Sequence, residues 1–184
     1  DCAVLPGFVD AHMHETLTRG VCEDLPLDRW LDEICFPLDR THRHEYIRAA
    51  ALMSQIEMIQ AGITTFLDIY RFPAAAAEIT EKSGLRGIIA PQIILDPAGV
   101  GETIESAEEF VINWKGRNPR VIPAFGPHAP YSLKPEDFQR VSELAEKHDV
   151  LMHTHLCETQ WEVDVIRQQH ACSPAEYLDR AGAL

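Results

Sequence analysis

The sequence is poor in basic residues and lacks several patterns that mark common functional classes. Its 16 Lys and Arg stand against 29 Asp and Glu, for a formal net charge of −13. That balance argues against a surface for nucleic acid or anionic membrane. No apolar run reaches the roughly 20 residues that cross a bilayer, and no signal-peptide pattern opens the chain. We therefore expect neither a nucleic-acid nor a membrane partner.

Nucleotide-binding loops and a disulfide framework are also missing. Neither GxGxxG nor GxxxxGK[ST] follows any strand-like segment, which argues against phosphate binding by those loops. Cysteines are odd in number and scattered, and no two of them form a CxxC pair; they are Cys2, Cys22, Cys35, Cys157 and Cys172. Such a set predicts free thiols in a reducing compartment, so the expected location is the cytoplasm.

What the chain does contain is an alternation of strand-like and helical segments. Strands are predicted at residues 8–14, 63–69, 86–95, 121–128 and 151–155. Helices are predicted at 42–61, 74–83, 102–115, 135–148, 160–170 and 174–180. The alternation predicts a parallel sheet built from βα units, and the nearly continuous apolar strands indicate that both faces are covered. Residues 15–41 are predicted as one long connection.

Polar side chains cluster where the predicted strands end. They are His12, His14, Asp68, Asp96, His128 and His155. In parallel α/β folds the active site lies at the carboxyl ends of the strands. A whole (β/α)8 barrel takes roughly 250 residues, and the 184 residues here contain about five of its eight units. The predicted fold is therefore a partial (β/α)8 TIM barrel, strands 1–5 with their helices.

Two His-x-His pairs point to a metal. Residues two apart share one face of a strand, so His12 and His14 should project together, and His155 ends another strand. Three imidazoles, or two with a carboxylate, suit zinc, nickel or ferrous iron. Such an ion lowers the pKa of bound water and so activates it. Glu158, just beyond His155, is placed to move a proton between water and substrate.

Other residues near the strand ends have two readings each. His153 shares a face with His155 one layer deeper, and a supporting role is favoured over a ligand role. His128 lies in a proline-stiffened loop, which favours substrate contact or support of the site. Trp30 is either a wall of the substrate pocket or a hydrophobic anchor. Asp68 is expected mainly to stabilise a strand end.

Three motifs resemble the amidohydrolase superfamily. They are Pro6-Gly7-Phe8-Val9-Asp10-Ala11-His12-Met13-His14, Gly126-Pro127-His128-Ala129-Pro130-Tyr131-Ser132 and His153-Thr154-His155-Leu156-Cys157-Glu158-Thr159. Together they resemble the branch of chlorohydrolases and aminohydrolases, and within it the 5-methylthioadenosine/S-adenosylhomocysteine deaminases. The segments Arg19-Gly20-Val21 and Asp24-Leu25-Pro26-Leu27-Asp28-Arg29-Trp30-Leu31 strengthen that likeness.

The resemblance implies one divalent metal, zinc foremost with iron or nickel as alternatives, in a distorted barrel. It implies three metal ligands, His12, His14 and His155. Glu158 would bind the ring and move protons, and His128 would contact the substrate. Asp39 stands where these deaminases carry a glutamate that grips the ribose hydroxyls. Relatives with two metals bridge them with a lysine at the end of the fourth strand, and residues 124–128 contain none.

The implied activity is hydrolytic deamination of a purine, adenosine-type or related heterocycle by metal-bound hydroxide. One alternative is a triazine-type chlorohydrolase or a guanine or cytosine deaminase, which use the same chemistry. An alternative from another class is a non-catalytic fragment with an incomplete metal site. Self-association, common in the family, is left open.

The resemblance also implies parts that this sequence does not carry. The family's sixth strand supplies another histidine and its eighth an aspartate, and a small β-sandwich accompanies the barrel. Residues 1–184 are therefore expected to be the N-terminal part of one barrel domain, with strands 6–8 and the sandwich absent from this chain.

Overall fold

A computed structural model describes residues 2–16, 20–22 and 24–184 of the chain. Arg19, one of the residues in the motif after the first strand, lies outside this part. The strands are β1 (Phe8–Met13), β2 (Ile63–Tyr70), β3 (Arg86–Ile93), β4 (Val121–Pro123) and β5 (Gly126–Pro127). The helices are α1 (Leu27–Trp30), α2 (Phe36–Asp39), α3 (His44–Gln60), α4 (Pro73–Ser83), α5 (Ile104–Trp114), α6 (Pro135–His148), α7 (Gln160–His170) and α8 (Pro174–Arg180).

The strands form one parallel sheet in sequence order. β1 pairs with β2, β2 with β3, and β3 with both β4 and β5, all in parallel. Helices α3, α4 and α5 supply the crossovers between successive strands. The predicted alternation of strands and helices is confirmed. All carboxyl ends of the strands therefore meet at one edge of the sheet, which is where the predicted site residues lie.

Alternate residues of each strand enter two different cores. Side chains of one parity form a cluster on the inner face of the sheet; they are Leu67, Ile69, Ile88, Ala90 and Ala124. Those of the other parity pack beneath the helices, with Phe66 and Ile89 against α4 and α5 and Ile93 and Phe125 against α5, α6 and α8. Because side chains alternate between the two faces of a strand, every second polar residue at the strand ends lies on the inner face.

The predicted fourth strand, 121–128, is interrupted. It divides into β4 and β5, with Ala124 and Phe125 between them. Prolines at positions 123 and 127 have no N–H for a ladder. Gly126 lies so close to β3 that an added Cβ would be 2.7 Å from the Pro91 carbonyl oxygen. The strand can approach β3 there only because glycine has no side chain.

The predicted fifth strand, 151–155, is reduced to a single bridge between Phe125 and Met152. Its backbone still follows β5, because the His153 N–H donates to Phe125 O (2.9 Å) and the His155 N–H donates to His128 O (3.0 Å). The neighbouring segment 124–128 is irregular, so it offers too few backbone groups in register for a ladder of hydrogen bonds. The direction of the chain, and with it the direction of His155, is nevertheless the predicted one.

The described part of the long connection 15–41 contains helical segments that a loop prediction did not include. It contains α1, a π-helical turn at Leu31–Cys35, and α2. Leu31, Cys35 and Phe36 form a small core with Ile94 and Val100. The spacing of Leu27, Leu31 and Cys35 at every fourth residue is the helical signal in the sequence that a loop prediction overlooked.

None of the described helices combines the length and the apolar character needed to cross a membrane.

Candidate metal centre

Three imidazoles meet at the carboxyl ends of the strands. His12 lies near the end of β1, His14 directly follows it, and His155 comes from the segment bridged to Phe125. One ring nitrogen from each lies within 4.8 Å of the others. Within the described part of the chain, this is the group of His, Cys, Asp and Glu side chains that could hold a metal ion. The structure thus brings together the three ligands predicted from the two His-x-His pairs.

Backbone carbonyls orient two of these rings. His14 Nδ1 lies 2.5 Å from the Ile69 carbonyl oxygen, and His155 Nδ1 lies 2.7 Å from the His128 carbonyl oxygen. A carbonyl only accepts, so each Nδ1 carries the hydrogen and donates it. Each Nε2 is then left with a free lone pair, which is the form in which histidine binds a metal.

His12 is oriented differently. Its Nδ1 lies 2.8 Å from Nε2 of His153, a side chain rather than a carbonyl. His153 is therefore adjacent to the cluster but contributes no ligand atom to the group of three. Its favoured reading from the sequence, a supporting role, agrees with this position.

The pKa of each of the three rings is lowered, which favours the neutral form. Burial lowers the pKa of His14 to about 4 and lowers that of His155, and partial desolvation lowers that of the more exposed His12. The neighbouring imidazoles add to the effect at His12 and His14. Since a proton and a metal compete for the same lone pair, lowered pKa values favour metal binding at neutral pH.

Glu158 lies beside the cluster, is exposed to solvent and lines the cavity in front of the histidines. Its loop is held by Glu162, a fully buried residue of α7. The Glu162 carboxylate accepts the N–H of Cys157 (3.0 Å) and of Glu158 (2.9 Å). Burial raises the pKa of Glu158, and the Glu162 charge raises it further. A raised pKa suits a carboxyl group that must donate a proton near neutral pH.

His128 and Tyr131 form the side of the cavity next to β5. His128 is 5 % exposed, and its Nδ1 lies 3.0 Å from the Ser132 hydroxyl. Ser132 in turn accepts the Ala129 N–H (3.2 Å) and donates to the Ala129 carbonyl (3.0 Å). The loop therefore holds the His128 ring in one orientation, with Nε2 available. Burial lowers the pKa of His128 well below its usual range.

Asp39 and Trp30, from the helical connection after β1, also line the cavity. The Asp39 carboxylate accepts the Tyr70 hydroxyl at 2.6 Å, and Tyr70 accepts the Thr16 hydroxyl at 2.8 Å. The Trp30 indole N–H donates to the Val21 carbonyl at 2.7 Å. Both predicted substrate residues thus line one cavity with His14, His155, His128 and Glu158.

Several lining residues were not predicted, and Gln92 is the clearest. It is 5 % exposed, lines the cavity, and shares the inward parity of Ile88 and Ala90. Counting alternate positions along the predicted strand 86–95 would have found it. Tyr70 and Tyr131 also line the cavity.

A second buried polar cluster lies behind β1. The Asp68 carboxylate accepts the Glu15 N–H at 2.8 Å, and the Gln55 amide donates to Glu15 Oε1 (2.9 Å) and to Thr80 Oγ1 (3.0 Å). Burial raises the pKa of Glu15, and it raises that of Asp68 to about 7. Asp68 therefore stabilises the chain where it leaves β1, directly after His14, as expected from the sequence.

Parallel βα units with a histidine cluster at the carboxyl ends of the strands form a TIM-barrel scaffold with a candidate metal site. The amidohydrolase family model matches residues 3–184, and the chain belongs to this family. The predicted partial (β/α)8 barrel is confirmed.

Similar curated relatives include deaminases of adenosine derivatives. The chain is 38% identical over 183 residues to a 5-methylthioadenosine/S-adenosylhomocysteine deaminase of Halothermothrix orenii, covering 98% of this chain and 42% of the relative. It is 35% identical over 186 residues to a 5'-deoxyadenosine deaminase of Methanothermobacter thermautotrophicus, covering 98% and 44%. The chain thus spans less than half the length of these relatives.

Solved structures share the same fold. An adenosine deaminase from Xanthomonas campestris with bound zinc superposes with a TM-score of 0.89 at 32% identity, covering 97% of this chain and 42% of that one. A guanine deaminase from C. acetobutylicum, with guanine bound, superposes with a TM-score of 0.88 at 21% identity, covering 96% and 46%. The second likeness bears on the fold alone.

Proposed function

We propose that the intact protein is a metal-dependent aminohydrolase that removes the amino group of an adenosine-type nucleoside. The observation that carries this proposal is the joint placement of His12, His14 and His155 around one point, with Glu158 beside them on the wall of a cavity. Similarity to deaminases of adenosine derivatives over 98% of the chain supports the choice of substrate.

The donor set fits one divalent ion. Two of the three ligand rings carry their hydrogen on Nδ1 because a carbonyl faces it, so Nε2 is free. Neutral imidazoles suit zinc, which we propose as the native metal, with iron or nickel as the alternatives. When bound, the ion would supply Lewis-acid activation of water at neutral pH.

Glu158 would handle the proton at the substrate ring. Its carboxyl group lines the cavity, and its raised pKa keeps more of it protonated near neutral pH than an ordinary glutamate. It would hydrogen-bond a ring nitrogen, donate the proton as the carbon becomes tetrahedral, and so favour departure of ammonia. During this step the Glu162 carboxylate would hold the loop of Glu158 by accepting the backbone N–H groups of Cys157 and Glu158.

The remaining walls would orient the nucleoside. The Ser132 hydroxyl donates to the Ala129 carbonyl, so His128 Nδ1 donates to Ser132 and its Nε2 would accept a hydrogen bond from the substrate. Asp39 would face the ribose hydroxyls and Trp30 would cover an apolar face of the substrate. Asp39 Oδ1 already accepts the Tyr70 hydroxyl and Oδ2 faces the Cys35 thiol at 3.8 Å, so a ribose hydroxyl would use the remaining lone pairs of these oxygens.

The chain spans 42% and 44% of the first curated relatives. We therefore propose that residues 1–184 are the N-terminal part of one barrel domain, and that further ligands come from strands that follow. All five cysteines are free thiols, which supports a reducing compartment and a cytoplasmic location.

The test is ammonia release by the purified intact protein. 5-Methylthioadenosine, S-adenosylhomocysteine, 5'-deoxyadenosine and adenosine would be compared with guanine and cytosine, and chloride release would be followed with a chlorotriazine. The proposal expects turnover of at least one adenosine derivative with kcat/KM above 10-fold that of the other classes, roughly the discrimination of one good contact.

Other outcomes of the same assay select the alternatives. Chloride release without deamination indicates a chlorohydrolase, and preference for guanine or cytosine indicates a nucleobase deaminase. A metal-free protein that acts on none of these compounds would support a non-catalytic role.

A further inference from the structure

We propose that His153 is a positioning residue that holds His12 in the tautomer and orientation needed to bind the metal. The inference rests on the proposed metal centre and adds to it a residue outside the ligand set. It is carried by one contact, the 2.8 Å approach of His12 Nδ1 to His153 Nε2.

The three ligand rings differ in what controls them. His14 and His155 each donate from Nδ1 to a backbone carbonyl. That acceptor cannot be removed by substitution and cannot become a donor. The Nδ1 of His12 instead faces an imidazole nitrogen, which donates or accepts according to its own tautomer. Of the three candidate ligands, His12 is therefore the one whose tautomer depends on a neighbouring side chain.

Metal binding selects one direction for this hydrogen bond. For His12 to offer a lone pair on Nε2, its hydrogen must be on Nδ1, so His12 donates and His153 Nε2 accepts. His153 then carries its own hydrogen on Nδ1. The reverse arrangement would put a hydrogen on His12 Nε2, the atom left for the metal, and would remove that ligand from the centre.

The position of His153 favours this role over that of a fourth ligand. It precedes His155 by two residues on the same extended segment, so both rings point to the inner face, with His153 one step further from the strand ends. The ring centroids of His12 and His153 are 5.1 Å apart with the planes tilted by 36°. Its Nε2 is already engaged by His12, and the group of described side chains that could hold an ion leaves it out.

The test measures metal affinity rather than turnover. The intact protein, His153→Ala and His153→Gln would be stripped and titrated with Zn2+ against a chromophoric chelator. His44→Ala is the matched control, because His44 is a partly exposed histidine 3.7 Å from Glu78 and far along the chain from the cluster. We expect about 10- to 100-fold weaker binding for the alanine variant. The glutamine variant, whose amide oxygen accepts the same N–H, should bind within about threefold of the parent, as should the control.

A second measurement uses the unsubstituted protein. Proton–nitrogen correlation spectra of 15N-histidine-labelled, zinc-loaded protein report which ring nitrogen is protonated. The expected result is His12 with hydrogen on Nδ1 and zinc on Nε2, and His153 with a free Nε2. This readout decides the question even where the alanine variant does not fold.

Three results would overturn the inference: unchanged zinc affinity in folded His153→Ala, a glutamine variant as weak as the alanine variant, or zinc on a nitrogen of His153. Each differs from failure of the proposed function, in which the unsubstituted protein itself binds no metal.

Discussion

The two His-x-His pairs have the same spacing in the sequence but contribute differently to the centre. Both histidines of the first pair, His12 and His14, belong to the group of three that could hold an ion. In the second pair only His155 belongs to it, and His153 lies behind His12. Alternation along an extended chain sets the face on which a side chain lies. How far that side chain lies from the carboxyl edge of the sheet depends instead on where the neighbouring strand ends. Equal spacing therefore does not mean equal function.

A buried carboxylate anchors the chain after each pair. Beyond His14, Asp68 accepts the Glu15 N–H, and beyond His155, Glu162 accepts the Cys157 and Glu158 N–H groups. Asp68 is accompanied by a second buried carboxyl, that of Glu15; burial raises the pKa of both groups, and the Asp68 charge raises that of Glu15 further. Glu162 instead neighbours the group proposed to move protons. We therefore expect the contact made by Asp68 to affect stability and the contacts made by Glu162 to affect catalysis.

The largest effect should come from removing one ligand of each pair. His14→Ala and His155→Ala should each weaken zinc binding by more than about 100-fold, beyond what loss of a supporting residue costs, and both should abolish turnover. Equilibrium dialysis with metal analysis measures this. If His153→Ala loses as much zinc as His155→Ala, both histidines of the second pair act as ligands, as in the first pair, and the proposed difference between the two pairs is wrong.

Glu158→Gln should separate chemistry from metal binding. We expect kcat to fall by roughly 10²- to 10⁴-fold, because the amide cannot donate the proton that a carboxyl group donates. Zinc content should stay near that of the parent. Loss of the metal in a folded variant would instead make Glu158 a ligand.

Glu162→Gln should have a smaller effect. The amide retains one acceptor oxygen for two N–H groups, so the loop of Glu158 loosens, and we expect kcat/KM to fall by about 10-fold. Removing the charge also lowers the pKa of Glu158, so the pH above which activity declines should move down. Asp164→Asn, an exposed change on the same helix, is the control, and an identical pH profile in both variants would argue against this role.

The smallest effect should be the pH dependence of stability at Asp68. Its folded pKa is about 7, against an ordinary value of 3.8. Between those values the folded state keeps a proton that the unfolded state releases, so the free energy of unfolding falls as pH rises. Asp68→Asn should remove that slope, which is at most about 1.4 kcal/mol per pH unit.

Urea unfolding of zinc-loaded protein between pH 5 and 8 gives the free energy of unfolding of the variant and of the parent. The histidines contribute a pH dependence of opposite sign to both proteins, so it cancels in the difference between them. Asp179→Asn, an exposed residue, should leave the slope unchanged. A parent and an Asp68→Asn variant with parallel profiles would show that Asp68 is ionised in the folded state throughout.

Local patterns were sufficient to predict which histidines lie together and the layout of the sheet. The alternation of strands and helices predicted the sheet, and His12, His14 and His155 followed from a period of two and from the strand ends. The three ligand candidates, His128 and Glu158 lie together as expected.

What remained hidden depends on register and on the backbone. The carbonyls of Ile69 and His128 that orient two ligand rings have no sequence signal, because every residue has a carbonyl. The anchoring by Asp68 requires the pairing of Met13 with Asp68 across β1 and β2. The division of the fourth strand, by contrast, was foreshadowed by Pro123 and Pro127, which cannot donate to a ladder.

We propose that His12, His14 and His155 hold one divalent metal beside Glu158. The decisive measurement is metal analysis of the purified intact protein and of His155→Ala, matched for folding by circular dichroism. We expect about one divalent ion per chain in the parent, zinc foremost, and almost none in the folded variant. Equal metal content in the two proteins would contradict it.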